Sequence, residues 1–203
     1  MKRLLLVRHG ESEWNKERRL QGQADITLSP HGRNQALQLR PVIASLAPDC
    51  ILTSDLQRAR ETAALLGYRE AEPCAPLREI DVGDWTGRPI AEIEKADLAA
   101  YRGWRAGRFT PPRGEEWTAF KDRTCAVVRR CLGGDARRIL LVAHGGVIRA
   151  ILEGLLGLEP ARIVPVGPAS LTVLKHTSDE KMAAFKLELF NFSPNGPAFD
   201  SPD

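Results

Sequence analysis

Three short, unbroken apolar runs punctuate the chain, at residues 4–7, 50–52 and 139–143. A run with no polar alternation has no wet face, so each predicts a strand buried on both sides, as in a parallel sheet. Between them the spacing changes. Ala36, Leu39, Val42, Ile43 and Leu46 recur at helical intervals behind Ser29-Pro30, which predicts a helix with Ser29 as N-cap, Pro30 in its first turn and a kink at Pro41. Residues 56–63 open a second helix. A third covers 117–132, with Phe120, Thr124, Val127, Val128 and Cys131 on one stripe and Gly133-Gly134 ending it. A fourth covers 147–156. A short strand at 71–75 and two later ones at 171–175 and 184–190, joined by a polar turn at 177–181, complete the pattern.

This order predicts one α/β domain over residues 1–192, with an irregular excursion at about 88–116 and a loose, proline-containing tail at 193–203. The excursion holds a helix near 90–97 and closes on Pro111-Pro112-Arg113-Gly114. No internal repeat is present.

Composition narrows the function. The 203 residues are 43% hydrophobic and 27% charged, ordinary for a soluble globular protein. A net charge of +3 with no basic tail gives no reason to expect a nucleic-acid partner. The N-terminal apolar run is far too short for a secretion signal, and no run reaches the length of a membrane helix, so a cytoplasmic protein without a membrane partner is expected. Cys50, Cys74, Cys125 and Cys131 lack metal-ligand spacing and read as reduced, mostly buried thiols.

The chemistry sits where the apolar runs stop. The first ends in Arg8-His9-Gly10, with Ser12 and Asn15 close behind; the second leads through Ser54-Asp55 to Arg58; the third ends in His144-Gly145-Gly146. In an open parallel sheet, carboxyl ends of strands share one edge, where ligands bind. Two arginines, two imidazoles and glycine-bearing turns on that edge suit a phosphate dianion: arginine offers a bidentate fork, and turn amides fill remaining positions. Each piece alone has a plainer reading, since a strand-end histidine is more often a structural hydrogen-bonder and an arginine on a helix a solvated charge. Their joint occurrence carries the inference.

The run Arg8-His9-Gly10-Glu11-Ser12-Glu13-Trp14-Asn15 after an apolar strand resembles the signature of the histidine phosphatase superfamily, which includes cofactor-dependent phosphoglycerate mutases and many phosphomonoesterases. Ser54-Asp55-Leu56-Gln57-Arg58-Ala59 resembles the family's second phosphate-arginine block. Leu77-Arg78-Glu79, followed by Gly83-Asp84-Trp85-Thr86-Gly87, resembles its proton-donor block, and His144-Gly145 its second histidine. The resemblance implies a three-layer α/β/α sandwich around a mixed, mostly parallel sheet. It implies a site of Arg8, His9, Arg58, Glu79 and His144, with Asn15, Gln21, Gly22 and Gly145 lining the pocket. His9 is then the nucleophile that becomes phosphohistidine, Glu79 the proton donor and acceptor, and His144 a stabiliser of the transferring group. No metal and no cofactor are implied, and the partner is a small phosphorylated metabolite.

Two departures from the mutase pattern favour hydrolysis over phosphoryl return. Val82 stands where mutases carry a tyrosine three residues beyond the glutamate, and Gly146 where they carry an asparagine. A phosphoglycerate mutase is the alternative; a catalytically silent phospho-ligand binder is another, which intact His9, Glu79 and His144 disfavour. A metal hydrolase lacks the carboxylates it needs beside His144. In the excursion, Arg102, Arg105, Arg108 and Arg113 interleave with Tyr101, Trp104 and Phe109. They either grip an anionic or ring-bearing leaving group, Arg105 and Arg108 foremost, or form a solvated face over aromatics packed on the core. Substrate identity and oligomeric state stay open at this stage.

Overall fold

In the computed structural model, which describes residues 1–177 and 184–196, the three apolar runs become β1 (Lys2–Arg8), β2 (Cys50–Thr53) and β4 (Arg138–Ala143). With β3 (Glu72–Pro73), β5 (Leu171–His176) and β6 (Phe185–Phe192) they form a six-stranded sheet in the order β3-β2-β4-β1-β5-β6. The first four strands are mutually parallel, whereas β5 runs antiparallel to β1 and β6 antiparallel to β5. This is the mixed, mostly parallel sheet expected.

The pleat explains the unbroken apolar runs. Leu4 and Leu6 of β1 face one core, together with Ile139, Leu141 and Ala143 of β4; Leu5, Val7, Leu140 and Val142 face the other. The second core packs Leu39 and Ile43 of α2 (Pro30–Leu46) and Ala63 of α3 (Gln57–Leu65). The first, larger core packs Phe120 and Val128 of α6 (Trp117–Gly133) and Ile148 and Ile151 of α7 (Gly145–Leu156). Helices therefore cover both faces of the sheet.

Ser29 caps α2 through Gly32 N–H, with Pro30 in the first turn. The helix continues through Pro41. Pro41 lies on the exposed face, and the residue whose carbonyl it leaves without an N–H, Leu37, is open to water that can substitute.

The excursion is more regular than the sequence indicates. It contains α4 (Ile90–Ala96) and α5 (Leu98–Arg105), the latter capped by the Asp97 side chain on Ala100 N–H. A one-turn helix, α1 (Glu13–Lys16), follows the first strand corner. Among the described residues no helix is long and apolar enough to cross a membrane. All four cysteines are free thiols, Cys74 and Cys125 buried, Cys50 and Cys131 half-buried. Most of the turn expected at 177–181 and the end of the tail, 197–203, lie outside the described residues.

Candidate active site

Sheet register places the two histidines. Arg8 of β1 is level with Ala143 of β4, so His9 and His144 each stand one residue past the end of neighbouring parallel strands. Adjacent strands lie ~4.8 Å apart, and the imidazole centroids are 5.2 Å apart, edge to face. Two residues separated by 135 positions thus meet because their strands share a register.

The rings differ in their hydrogen bonds. His9 Nδ1 lies 2.6 Å from the carbonyl oxygen of Gly10. A carbonyl only accepts, so Nδ1 carries the proton and Nε2 keeps its lone pair. Burial, then the charges of Arg58 and Arg8, push the His9 imidazolium far below the usual range and hold the ring neutral. His144 is fully buried and neutral for the same reasons, burial first and Arg58 next. Its Nε2 is 2.8 Å from Ser54 Oγ, which also accepts the Leu56 N–H at 3.3 Å. With that hydroxyl proton donated to Nε2, the neutral ring carries its own hydrogen on Nδ1, a buried atom with no hydrogen-bond partner among the described residues.

The arginines are held from behind. Arg58 donates from Nη1 to Ala24 O at 2.7 Å and from Nη2 to Gly22 O at 2.8 Å, while its buried Nε has no partner among the described residues. Arg8 donates from Nη1 to Val166 O at 2.6 Å. Burial lowers both guanidinium groups to about 10, so both remain cations at neutral pH. The N-terminus of α3 is already served by an anion, since Asp25 Oδ1 accepts Gln57 N–H at 2.6 Å. Arg58 therefore acts by its side chain.

Glu79 approaches from the opposite wall. Its Oε2 accepts Gly146 N–H at 3.0 Å, and its Oε1 accepts Ile80 N–H at 2.8 Å. A Cβ on Gly146 would stand only 2.2 Å from that Oε1, so with any larger residue there the carboxylate would have to shift from this position. The segment carrying Glu79 is pinned by Arg123 of α6, which donates to the carbonyls of Pro76, Arg78 and Glu79 and pairs bidentately with Glu115.

Arg8, His9, Arg58, Glu79, Gln21, Gly22 and Gly145 line one cavity with about 540 Å³ of empty space. His144 sits behind its wall. Asn15 does not line it: its amide closes a capping box with Ser12, whose hydroxyl donates to Gln21 at 2.7 Å, one layer back. Gly10 also has a different task from amide donation to a ligand. Its N–H binds Thr62 Oγ1, and the carbonyl of Gly32 packs where a Cβ would be. In the excursion Tyr101, Trp104 and Phe109 gather around Trp85, and Arg102, Arg108 and Arg113 are exposed. The solvated-face reading holds for those three arginines, and of the aromatics Trp104 lines the cavity.

Ser54, Arg123 and Arg149 have no part in the site as read from sequence. Two of them left a signal: Ser54 heads the block that resembles the family's second phosphate arginine, and Arg149 is a charge in the otherwise apolar stretch Val147-Ile148-Arg149-Ala150-Ile151-Leu152.

Residues 4–188 match the family model described as histidine phosphatase superfamily (branch 1). The chain is 39% identical over 170 residues to a glucosyl-3-phosphoglycerate phosphatase of Mycolicibacterium vanbaalenii, covering 78% of this chain and 76% of that protein. It is 37% identical to a probable phosphoglycerate mutase of Klebsiella pneumoniae, with the same coverage. The crystal structure of mycobacterial glucosyl-3-phosphoglycerate phosphatase complexed with VO3 superposes with a TM-score of 0.87 at 34% identity, covering 95% of this chain and all of that one. With the register-paired histidines at its centre, this chain belongs to branch 1 of the histidine phosphatase superfamily.

Proposed function

We propose that the protein hydrolyses small phosphomonoesters through a phosphohistidine on His9. The observation that carries this is the fixed tautomer of His9, with Nδ1–H bound to Gly10 O, beside two buried donors, Arg58 Nε and His144 Nδ1, that have no protein acceptor among the described residues. Buried polar groups need partners, and an oxyanion with three equatorial oxygens satisfies them.

The Nε2 lone pair attacks phosphorus, an N–P bond forms, and the ester P–O bond breaks. The Glu79 carboxyl gives its proton to the departing alkoxide. Water then attacks the phosphohistidine, the N–P bond breaks, Glu79 takes the water's proton, and inorganic phosphate leaves. Arg8, Arg58 and His144 Nδ1–H hold the charge on the equatorial oxygens throughout. Neutralisation of the dianion is the task of the two guanidinium groups, so hydrolysis is expected to survive EDTA.

Hydrolysis is favoured over the mutase reaction at two positions. Val82, buried, and Gly146 line the cavity at the positions where the mutase pattern has a tyrosine and an asparagine. The relatives named as phosphatases support the same reading, and the phosphorylated sugar acid in their name points to a small phosphorylated metabolite as partner.

Rapid quenching with ³²P-labelled substrate tests the mechanism. Acid-labile, base-stable label is expected on the protein and should vanish in His9→Ala, with inorganic phosphate as the product. Undiminished label in His9→Ala, or isomerised ester in place of phosphate, overturns the reading.

A further inference from the structure

Beyond the phosphate-binding groups, the same cavity holds a third buried cation. Arg149 of α7 is 4% exposed and lines the wall with Trp104 and Trp117. Its guanidinium carbon lies 5.7 Å from the Trp117 ring centroid, and its Nη2 donates to the Arg105 carbonyl. Among the described residues its buried Nε has no hydrogen-bond partner and no carboxylate lies within ion-pairing distance. The two carboxylates whose charge reaches Arg149 are engaged elsewhere: Glu79 accepts Gly146 N–H and Ile80 N–H, and Glu153 accepts Trp117 Nε1–H at 2.5 Å and pairs with Lys121 Nζ at 3.1 Å.

A buried guanidinium carries a large desolvation cost unless an anion joins it. Arg8 and Arg58 already suffice for one phosphate. We infer that Arg149, walled by Trp104 and Trp117, is a second anion subsite that reads a carboxylate on the leaving alcohol. The planar fork of arginine matches a carboxylate bidentately, and the tryptophans exclude water from the pair. The subsite thus draws its cation from the start of the second-histidine helix. The exposed Arg102 and Arg108 play no part, and Arg105 contributes a backbone carbonyl.

The inference rests on the phosphatase reading and adds a specificity-determining residue to it: Arg149 selects phosphomonoesters whose alcohol carries a carboxylate, as the phosphoglycerate in the relatives' names does. The test compares 3-phosphoglycerate with glycerol 1-phosphate, which differ only in carboxylate against hydroxymethyl, with nitrophenyl phosphate as reference. The parent is expected to prefer the acid about tenfold or more in kcat/KM, mostly through KM, because the analogue leaves a buried donor unsatisfied. In Arg149→Met the ratio of the two values should fall to about one, and Arg149→Lys should retain part of it. Taking a ratio within one preparation removes any general loss from misfolding.

A parent ratio near one, or a ratio unchanged in Arg149→Met, overturns the subsite. A tenfold preference for glycerol 1,3-bisphosphate over 3-phosphoglycerate, lost in Arg149→Met, overturns the carboxylate assignment in favour of a second phosphate. Failure of the parent to hydrolyse even nitrophenyl phosphate overturns the phosphatase reading, and the subsite with it. Nitrophenyl turnover without carboxylate preference overturns the subsite alone.

Discussion

At the scale of single residues, the site works by fixing which nitrogen of each imidazole carries hydrogen. For His9 the lock is a backbone carbonyl, which substitution cannot easily remove. For His144 the partner is one hydroxyl, Ser54 Oγ, which accepts Leu56 N–H and, in donating its own proton to Nε2, leaves the ring hydrogen on Nδ1. Ser54 is therefore a positioning residue that presents His144 Nδ1–H toward the transferring group. Replacing an outer partner of a histidine costs about 10–100-fold where the ring holds a metal, which sets the scale here. Ser54→Ala is expected to lower kcat by about that factor with KM little changed, since the transition state suffers most. The readout specific to this role is ¹⁵N NMR: a single Nδ1–H tautomer of His144 in the parent, a mixture in the variant. An unchanged tautomer with reduced kcat would show that Ser54 acts otherwise.

At the scale of elements, legibility followed burial. Strands β1, β2 and β4 could be read from sequence because both of their faces are buried, which leaves an apolar run with no competing pattern. Once those strands are parallel neighbours, the convergence of His9, His144 and Arg58 follows from their ends. Helix α5 was hidden because its solvent face carries the arginines and its buried face only three residues, Ala100, Tyr101 and Trp104. Arg123 was invisible for another reason. Its function is defined by carbonyls 44 to 47 positions away, on a segment with no regular structure of its own. That clamp, with Glu115 closing it, ties α6 to the segment that carries Glu79. Arg123→Met should loosen Glu79 and reproduce the signature of a lost general acid, worth about 10²–10⁴ in rate on an ester with a poor leaving group. Hydrolysis of alkyl phosphates should fall much further than that of nitrophenyl phosphate, whose leaving group needs little protonation, as in Glu79→Gln. Equal losses on both esters would reduce Arg123 to a purely structural clamp.

At the scale of the whole molecule, the site sets how stability depends on pH. Three guanidinium groups and two imidazoles are buried around one cavity, and the imidazoles yield by staying neutral. In the unfolded chain a histidine binds its proton near pH ~6.5. In the folded protein, burial and the charges of Arg58 and Arg8 hold both His9 and His144 far below that value. Above pH ~6.5 neither state binds these protons and stability is unaffected. As pH falls through ~6.5 the unfolded state binds more protons than the folded one, so stability declines until the folded values are reached, by up to about 1.4 kcal/mol per pH unit for each histidine. The carboxylates with lowered values, Asp49, Asp55 and Glu188, act in the same direction, but only as pH approaches ~4. The window between pH ~6.5 and 5 therefore isolates the two imidazoles. Urea unfolding of the parent should show stability falling steeply across it, and His9→Gln with His144→Gln should flatten the curve. A slope that survives the double substitution would place the lost protons elsewhere and remove the electrostatic basis for neutral imidazoles at the sheet edge.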